Sequence, residues 1–342
     1  MVRSRHGKTF IIAELSANHG GALETAIASV HAAAEAGADA VKLQTYTADT
    51  LTIDCSSEIF QIKQGTLWDG QTLYSLYSEA YTPWEWHEPI RNATLSAGME
   101  FLSTPFDPSA VEFLESLNVN LYKIASFEIV DIPLIKLVAA KKKPMLMSTG
   151  IADLATIDEA VRACRSVGNN DITLLKCTSA YPAPPEDANL ATIPNMASTF
   201  GVEVGLSDHT IGHAVAVTAV ALGATVVEKH FIIDRSIGGP DASFSMEPAE
   251  FRQMVDAIRT SERAIGSVDY SVQGASAKNR KFSRSLFVVE DVNEGEELTY
   301  YNVRSIRPGD GLHPRYLHEI VGLRASRSIR RGTPLDWSLV LR

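Results

Sequence analysis

Over the first 265 residues, short apolar runs alternate with longer stretches of helical periodicity, the pattern of repeated βα units. Eight runs read as buried strands: Phe10–Leu15, Ala40–Thr45, Glu100–Pro105, Leu121–Ser126, Pro144–Gly150, Ile172–Thr178, Val202–Ser207 and Val226–Phe231. Between them, Leu23–Ala36 is rich in alanine and stops at Gly37, while Ile157–Ser166 follows Asp153, a natural N-cap. Eight such units predict an α/β fold with a closed (β/α)8 TIM barrel over residues 1–265. An open doubly wound sheet is the competing architecture, and the first βα turn lacks the GxGxxG fingerprint of its dinucleotide-binding members.

The connection over 47–99 is too long for one loop. Its principal helix is predicted around Trp84-Glu85-Trp86-His87, and the rest has room for a lid or a subunit contact. Residues 266–284 show little apolar periodicity and read as a linker. Beyond them, Leu286–Val289, Val303–Ile306 and Leu339–Leu341 are short β-like runs broken by Gly and Pro. They predict a small, mostly β module over 285–342 that needs something to pack against.

Composition changes this picture mainly by exclusion. A chain of 342 residues, 45% hydrophobic and 21% charged, is that of a folded soluble protein. A net charge of −10 offers no basic footprint for nucleic acid. All of that charge lies before residue 285, because the tail balances 8 Arg against 8 acidic residues. The apolar run from Ala214 to Val227 is shorter than the roughly 20 residues of a membrane span and is interrupted by Thr218, Gly223 and Thr225, so no membrane segment is expected. Behind Arg3, Arg5 and Lys8 the apolar stretch is only Phe10 to Ala13, too short for a secretory signal. Cys55, Cys164 and Cys177 have no metal-like spacing, and an odd number of thiols fits a reducing cytoplasm.

Barrel enzymes assemble their sites at the C-terminal ends of the strands, and polar residues gather at all eight. In order these are Glu14 with Asn18 and His19; Lys42 and Gln44; Ser103 and Thr104; Lys123, Ser126 and Glu128; and Ser148 and Thr149. Lys176, Thr178 and Tyr181 follow, then Ser207, Asp208 and His209, then Glu228, Lys229 and His230. His209 and His230 end consecutive strands, which places them side by side and able to share a divalent metal through neutral imidazoles, with Glu228 on the same face as His230. Such ligands suit Mn²⁺, with Co²⁺ or Mg²⁺ as alternatives, and the absence of paired thiolates argues against structural zinc. Two hydrogen-bonded interior histidines are the competing reading.

Lys42, Lys123 and Lys176 would be costly inside a barrel without an anion, so they point to a phosphate or carboxylate site. Hydroxyls of Ser103, Thr104, Ser126, Ser148 and Ser207 would serve the same oxygens. Snorkelling lysines, or the Schiff-base lysine of a metal-independent aldolase, are alternatives. Asp234, Arg235 and Gly238-Gly239-Pro240-Asp241 follow the last strand at the same mouth, either as a substrate-holding loop or as a solvated turn. The Gly/Pro-rich loop from Arg307 to Pro314 reaches an active site only if the tail folds over a barrel mouth.

Phe10-Ile-Ile-Ala-Glu-Leu-Ser-Ala-Asn-His19, Tyr122-Lys-Ile-Ala-Ser126, Ser148-Thr-Gly150, Gly205-Leu-Ser-Asp-His209, Glu228-Lys-His-Phe231 and Arg307-Pro-Gly309 together resemble the sialic acid synthase family. The resemblance spans nearly the whole chain, the tail being similar to the family's antifreeze-like (SAF) domain. It implies a (β/α)8 enzyme that condenses phosphoenolpyruvate with an amino sugar aldehyde, acting as a domain-swapped homodimer. It further implies His209 and His230 as metal ligands, and Lys42, Lys123, Ser126, Ser148 and Ser207, with Thr104 beside them, around phosphoenolpyruvate. Glu14, Gln44, Tyr181 and Asp241 would face the sugar or intermediate, Glu14 and Glu228 would move protons, and Arg307 of a partner chain would meet the sugar's acylamino group. At 15–17, Leu-Ser-Ala replaces the glycine-containing turn of N-acetylneuraminate synthases. Gly65-Thr-Leu-Trp-Asp69, Thr82-Pro-Trp-Glu-Trp-His87, Leu175-Lys-Cys-Thr-Ser179 and Gly311-Leu-His-Pro314 resemble another branch, whose implied sugar is 2,4-diacetamido-2,4,6-trideoxy-L-altrose. The rivals are an N-acetylneuraminic or legionaminic acid synthase and, from another class, a carbohydrate- or ice-binding protein built on the tail.

Overall fold

A computed structural model describes residues 8–63 and 65–341; Arg3 and Arg5 of the basic N-terminus lie outside them. The chain separates into two compact units at the Gly266/Ser267 boundary.

In the first unit, eight parallel strands close into a barrel in sequence order: β1 (Phe10–Glu14), β2 (Ala40–Thr45), β3 (Glu100–Pro105), β4 (Tyr122–Ile124), β5 (Met145–Ser148), β6 (Ile172–Cys177), β7 (Glu203–Asp208) and β8 (Val226–His230). β8 returns to pair with β1, setting Glu14 opposite His230 on one side and opposite Lys42 on the other. The strands are buried on both faces, which is why they read as continuous apolar runs. Phe10, Ile12, Ala40, Leu102, Leu121, Leu146, Leu175 and Val226 form one apolar layer inside the barrel. Apart from the small Ala40, each contributes about 1.5–3 kcal/mol when fully buried. β7 supplies Gly205 to this layer because a Cβ there would stand 2.5 Å from the Val226 carbonyl oxygen and 2.8 Å from Leu175. The alternate set, including Ile11, Ala13, Val41, Leu43 and Phe101, packs against the surrounding helices.

Local chemistry sets the helix ends. The helix Leu23–Ala36 terminates at Gly37, whose φ of 93° lets its N–H reach back to the carbonyls of Ala33 and Ala34. The helix Leu154–Ser166 is capped by Asp153, which accepts a bond from the Thr156 N–H at 2.8 Å. The long β2–β3 connection contains helices at Ala48–Leu51, Leu73–Ala80 and Trp84–Ser96.

The second unit has its own apolar core, with Leu286, Val288, Leu298, Val303, Ile320 and Leu335 at its centre. Two antiparallel pairs frame it, β9 (Ser285–Val288) with β10 (Val303–Ile306) and β11 (Arg324–Ala325) with β12 (Val340–Leu341). Within 266–284, read from the sequence as a linker, Gly274–Asn279 is a short helix followed by a 3-10 turn at Arg280–Phe282. Ala and Lys favour helix there without any amphipathic pattern to announce it. Among the described residues, no helix is long and apolar enough to cross a membrane.

Candidate active site

Because the apolar layer fixes the phase of every strand, it also selects which polar residues face inward above it: Glu14, Lys42, Gln44, Thr104, Lys123, Ser148, Cys177, Ser207, Glu228 and His230. Lys176 is excluded. Leu175 occupies the interior position on β6, so Lys176 points the other way and donates to the Cys177 carbonyl at 2.9 Å, and Cys177 takes the inward place. Ser103 also faces outward, where its hydroxyl and His87 Nε2 meet Thr45 Oγ1 at 2.7 and 2.9 Å. Asp208 and Lys229 form a buried ion pair of 2.7 Å on the outer face of β7 and β8.

At the centre stand two lysines and two carboxylates. Lys42 Nζ lies 2.7 Å from Glu14 Oε2, 3.6 Å from Glu228 Oε1 and 3.4 Å from Thr104 Oγ1. Lys123 Nζ is 3.5 Å from the same Glu228 oxygen, to which Ser207 donates at 3.3 Å, and Gln44 donates to Glu14 Oε1 at 2.9 Å. All four charged side chains are 7% exposed or less. Burial pushes the Glu14 carboxyl up to about 7 against the pull of Lys42, with Glu228 adding like-charge repulsion. Burial acts on Glu228 in the same direction, but Lys123, Lys42 and His209 together hold it below the usual carboxylate range. The two acids are thereby driven apart, the condition under which one stays ionised and the other exchanges a proton near neutrality. Burial lowers the Lys123 ammonium despite Glu228; it acts likewise on Lys42, where Glu14 and Glu228 outweigh it and hold the group above its ordinary range.

Beside Lys123, the end of β5 leaves a hydroxyl-lined hollow. A Cβ on Gly150 would fall 2.7 Å from Ser126 Oγ and even closer to Ser179 Oγ, so glycine is what lets these hydroxyls approach the strand. Ser179 donates to Ser126 at 2.9 Å, Ser126 Oγ accepts from the Ile151 N–H at 3.1 Å, and the buried Ser148 hydroxyl has no partner among the described residues. Glu128, on the turn after β4, has a buried oxygen without a partner among the described residues, and burial raises its carboxyl to about 7.

The histidines meet at the rim with ring centroids 5.4 Å apart. His209 Nδ1 lies 2.9 Å from the Thr178 carbonyl, which assigns its proton to that nitrogen and leaves Nε2 with a lone pair. His230 Nδ1 is buried without a hydrogen bond among the described residues, 3.8 Å from Asp241 Oδ2. Burial holds both imidazoles below their ordinary range, His230 furthest, and hence neutral. Two neutral imidazoles beside a carboxylate fit a divalent cation. Among the described residues, no group of three His, Cys, Asp or Glu side chains would cage one unaided, so further ligands would be water or substrate oxygens. Asp241 accepts from the Ser16 hydroxyl, joining the loops after β1 and β8. Burial raises its carboxyl against the opposing Ser16 and Ala17 bonds.

The Tyr181 ring lies tilted against His209 with centroids 4.4 Å apart, and Phe244 packs edge-on to His230 at 5.0 Å. Arg235 is committed elsewhere, its guanidinium bound to Glu250 and the Ser245 carbonyl rather than offered to the mouth. Arg307 belongs to the second unit, where it is exposed at the end of β10.

The NeuB family model matches residues 29–270 and the SAF domain model residues 283–341. The chain is 47% identical to the pseudaminic acid synthase of Helicobacter pylori, over 95% of this chain and 96% of that one. It is 38% identical to an N,N'-diacetyllegionaminic acid synthase of Legionella pneumophila, over 96% and 93% of the two chains. Among solved structures, the spore coat polysaccharide biosynthesis protein SpsE of Bacillus subtilis aligns with a TM-score of 0.66 at 36% identity, covering 99% of this chain and 97% of that one.

Proposed function

From the premise that this chain belongs to the NeuB family and carries a SAF domain, we propose that it catalyses the pseudaminic acid synthase reaction, condensing phosphoenolpyruvate with 2,4-diacetamido-2,4,6-trideoxy-L-altrose and releasing phosphate. One observation supports this above the rest: two lysines alternate with two carboxylates of divergent acidity, Glu14–Lys42–Glu228–Lys123, beside a pair of neutral histidines.

On this reading Lys123 and the hydroxyls of Ser126 and Ser148 hold the phosphate of phosphoenolpyruvate, with Lys42, Thr104 and Ser207 completing the deep subsite. Gln44, Tyr181 and Asp241 orient the sugar. His209 and His230 hold the cation, with manganese preferred; when bound, it supplies Lewis-acid polarisation of an aldehyde oxygen. C3 of phosphoenolpyruvate attacks the aldehyde carbon: the C2=C3 π pair forms the C–C bond and the aldehyde C=O π pair moves onto oxygen. Glu228, held ionised, offsets the positive charge that develops at C2. Water adds at C2, and Glu14 takes one of its protons and passes it to the new alkoxide, which becomes a hydroxyl. The bond from C2 to the phosphate oxygen then breaks as the C2 hydroxyl becomes the ketone, its remaining proton leaving with phosphate. A domain-swapped homodimer, in which Arg307 of one chain reaches the mouth of another, and a cytoplasmic setting belong to the same proposal.

The direct test is phosphate release from phosphoenolpyruvate with Mn²⁺, offering in turn the altrose-derived sugar, N-acetylmannosamine and the legionaminic precursor, each with and without chelator. Chelator-sensitive release is expected with the first sugar alone. Release with another sugar would keep the chemistry and move the branch.

The pH dependence tests the assignment of the base. A Glu14 acting as base near 7 must be ionised, so kcat/KM falls as pH drops below about 7 and levels off above it. Both histidines ionise lower still and do not account for a limb there. Glu14→Gln is expected to leave a low rate without that limb. A limb that survives the substitution overturns the assignment of Glu14 as the base.

A further inference from the structure

The β2–β3 connection does more than cross from one strand to the next. Its loop, of which 62–63 and 65–71 are described, is closed at the base by Ile62 N–H to the Gln71 carbonyl at 2.9 Å and Gly70 N–H to the Ile62 carbonyl at 3.0 Å. Asp69 caps the tip by accepting from the N–H groups of Gly65 and Thr66, both at 2.9 Å. The loop presents Trp68, which travels far from its own strands. Its indole N–H donates to the Pro240 carbonyl at 3.1 Å and its ring lies 5.6 Å from Tyr181. β2 and β6 are on opposite sides of an eight-stranded barrel, so a residue of the β2–β3 connection spans the mouth to rest on the loops after β6 and β8. Tyr181 continues inward to His209, and Phe244, 5.3 Å from Tyr181, continues to His230. An unbroken row of aromatic rings thus runs from the histidine pair to a half-buried tryptophan on the opposite loop.

We propose that Trp68 is a specificity-determining residue, its indole forming an apolar wall that favours an acceptor carrying methyl groups over one carrying hydroxyls at the same positions. The inference rests on the sugar synthase reading above and deepens it. The only polar atom of the indole is spent on Pro240, so the remaining surface can bury a deoxy carbon or an acetamido methyl but cannot satisfy a hydroxyl. A methyl group placed in such a pocket is worth roughly 10–100-fold in discrimination.

The test compares wild type, Trp68→Ala and Trp68→Phe by steady-state kinetics with the diacetamido trideoxy sugar and with N-acetylmannosamine. Trp68→Ala is expected to raise KM for the deoxy sugar about 10–100-fold, to shrink the preference between sugars by a similar factor and to leave KM for phosphoenolpyruvate unchanged. Trp68→Phe, which keeps an aromatic face but loses the bond to Pro240, is expected to restore most of the preference. A role limited to tethering the loop predicts the reverse, with Phe no better than Ala and both sugars affected equally, and would overturn the inference. So would a wild type that prefers the deoxy sugar together with a Trp68→Ala enzyme that keeps the preference. A wild type that prefers N-acetylmannosamine overturns the functional reading itself and is read from the unmutated enzyme alone.

Discussion

Replacing His209 and His230 together by alanine is expected, on the proposed metal assignment, to abolish Mn²⁺ binding and to lower phosphate release on the order of 10³-fold or more, the loss expected when several kcal/mol of charge stabilisation disappear. Both rings are buried against Tyr181 and Phe244, so the double variant also leaves a cavity. Glutamine at the two positions is the control that preserves volume. Titration of Mn²⁺ by electron paramagnetic resonance reads binding without turnover, and circular dichroism reads folding. A folded variant that releases phosphate at the wild-type rate would disprove the metal assignment. Borohydride trapping at Lys42 or Lys123 would then decide for the aldolase alternative.

Lys123→Met is expected to lower kcat/KM for phosphoenolpyruvate by on the order of 10²–10³-fold. Two losses combine. The phosphate subsite forfeits its ammonium beside Ser126 and Ser148, and Glu228 keeps only the more distant Lys42 at 3.6 Å to balance its buried charge. With Lys123 gone, Glu228 becomes easier to protonate because its strongest counter-charge is missing. The variant should therefore lose activity most at the acid end of the profile. Lys123→Met/Glu228→Gln separates the two effects: it removes the unpaired carboxylate and should recover stability but not substrate affinity. Full recovery of affinity in the double variant would show that the lysine serves only to neutralise Glu228.

The eight strands were legible because each is buried on both faces and bounded by turn residues, and Gly37 and Asp153 announced their helix ends in the same way. Strand phase was harder. Thr173-Leu174-Leu175-Lys176-Cys177 places apolar residues on both faces, so nothing local said that Leu175 lies inside and Lys176 outside. The same ambiguity hides the inward position of Cys177. His87 and Ser103 join Thr45 only once the helix Trp84–Ser96 is docked on the barrel. Trp68 could be singled out only as part of a motif, since its contacts with Pro240 and Tyr181 span more than a hundred residues. The opposed acidities of Glu14 and Glu228 depend on four charges within a few ångströms, a distance no spacing encodes.

The apolar layer beneath these charges governs traffic as well as packing. Phe10, Ile12, Leu102, Leu146 and their neighbours fill the barrel beneath the charges, so among the described residues the polar mouth is the way in to the site. On the proposed reaction, the reactant at floor level is expected to arrive before its partner shuts the way behind it and to leave after that partner departs. An ordered sequence of arrival and departure would thus follow from a plug of eight apolar side chains.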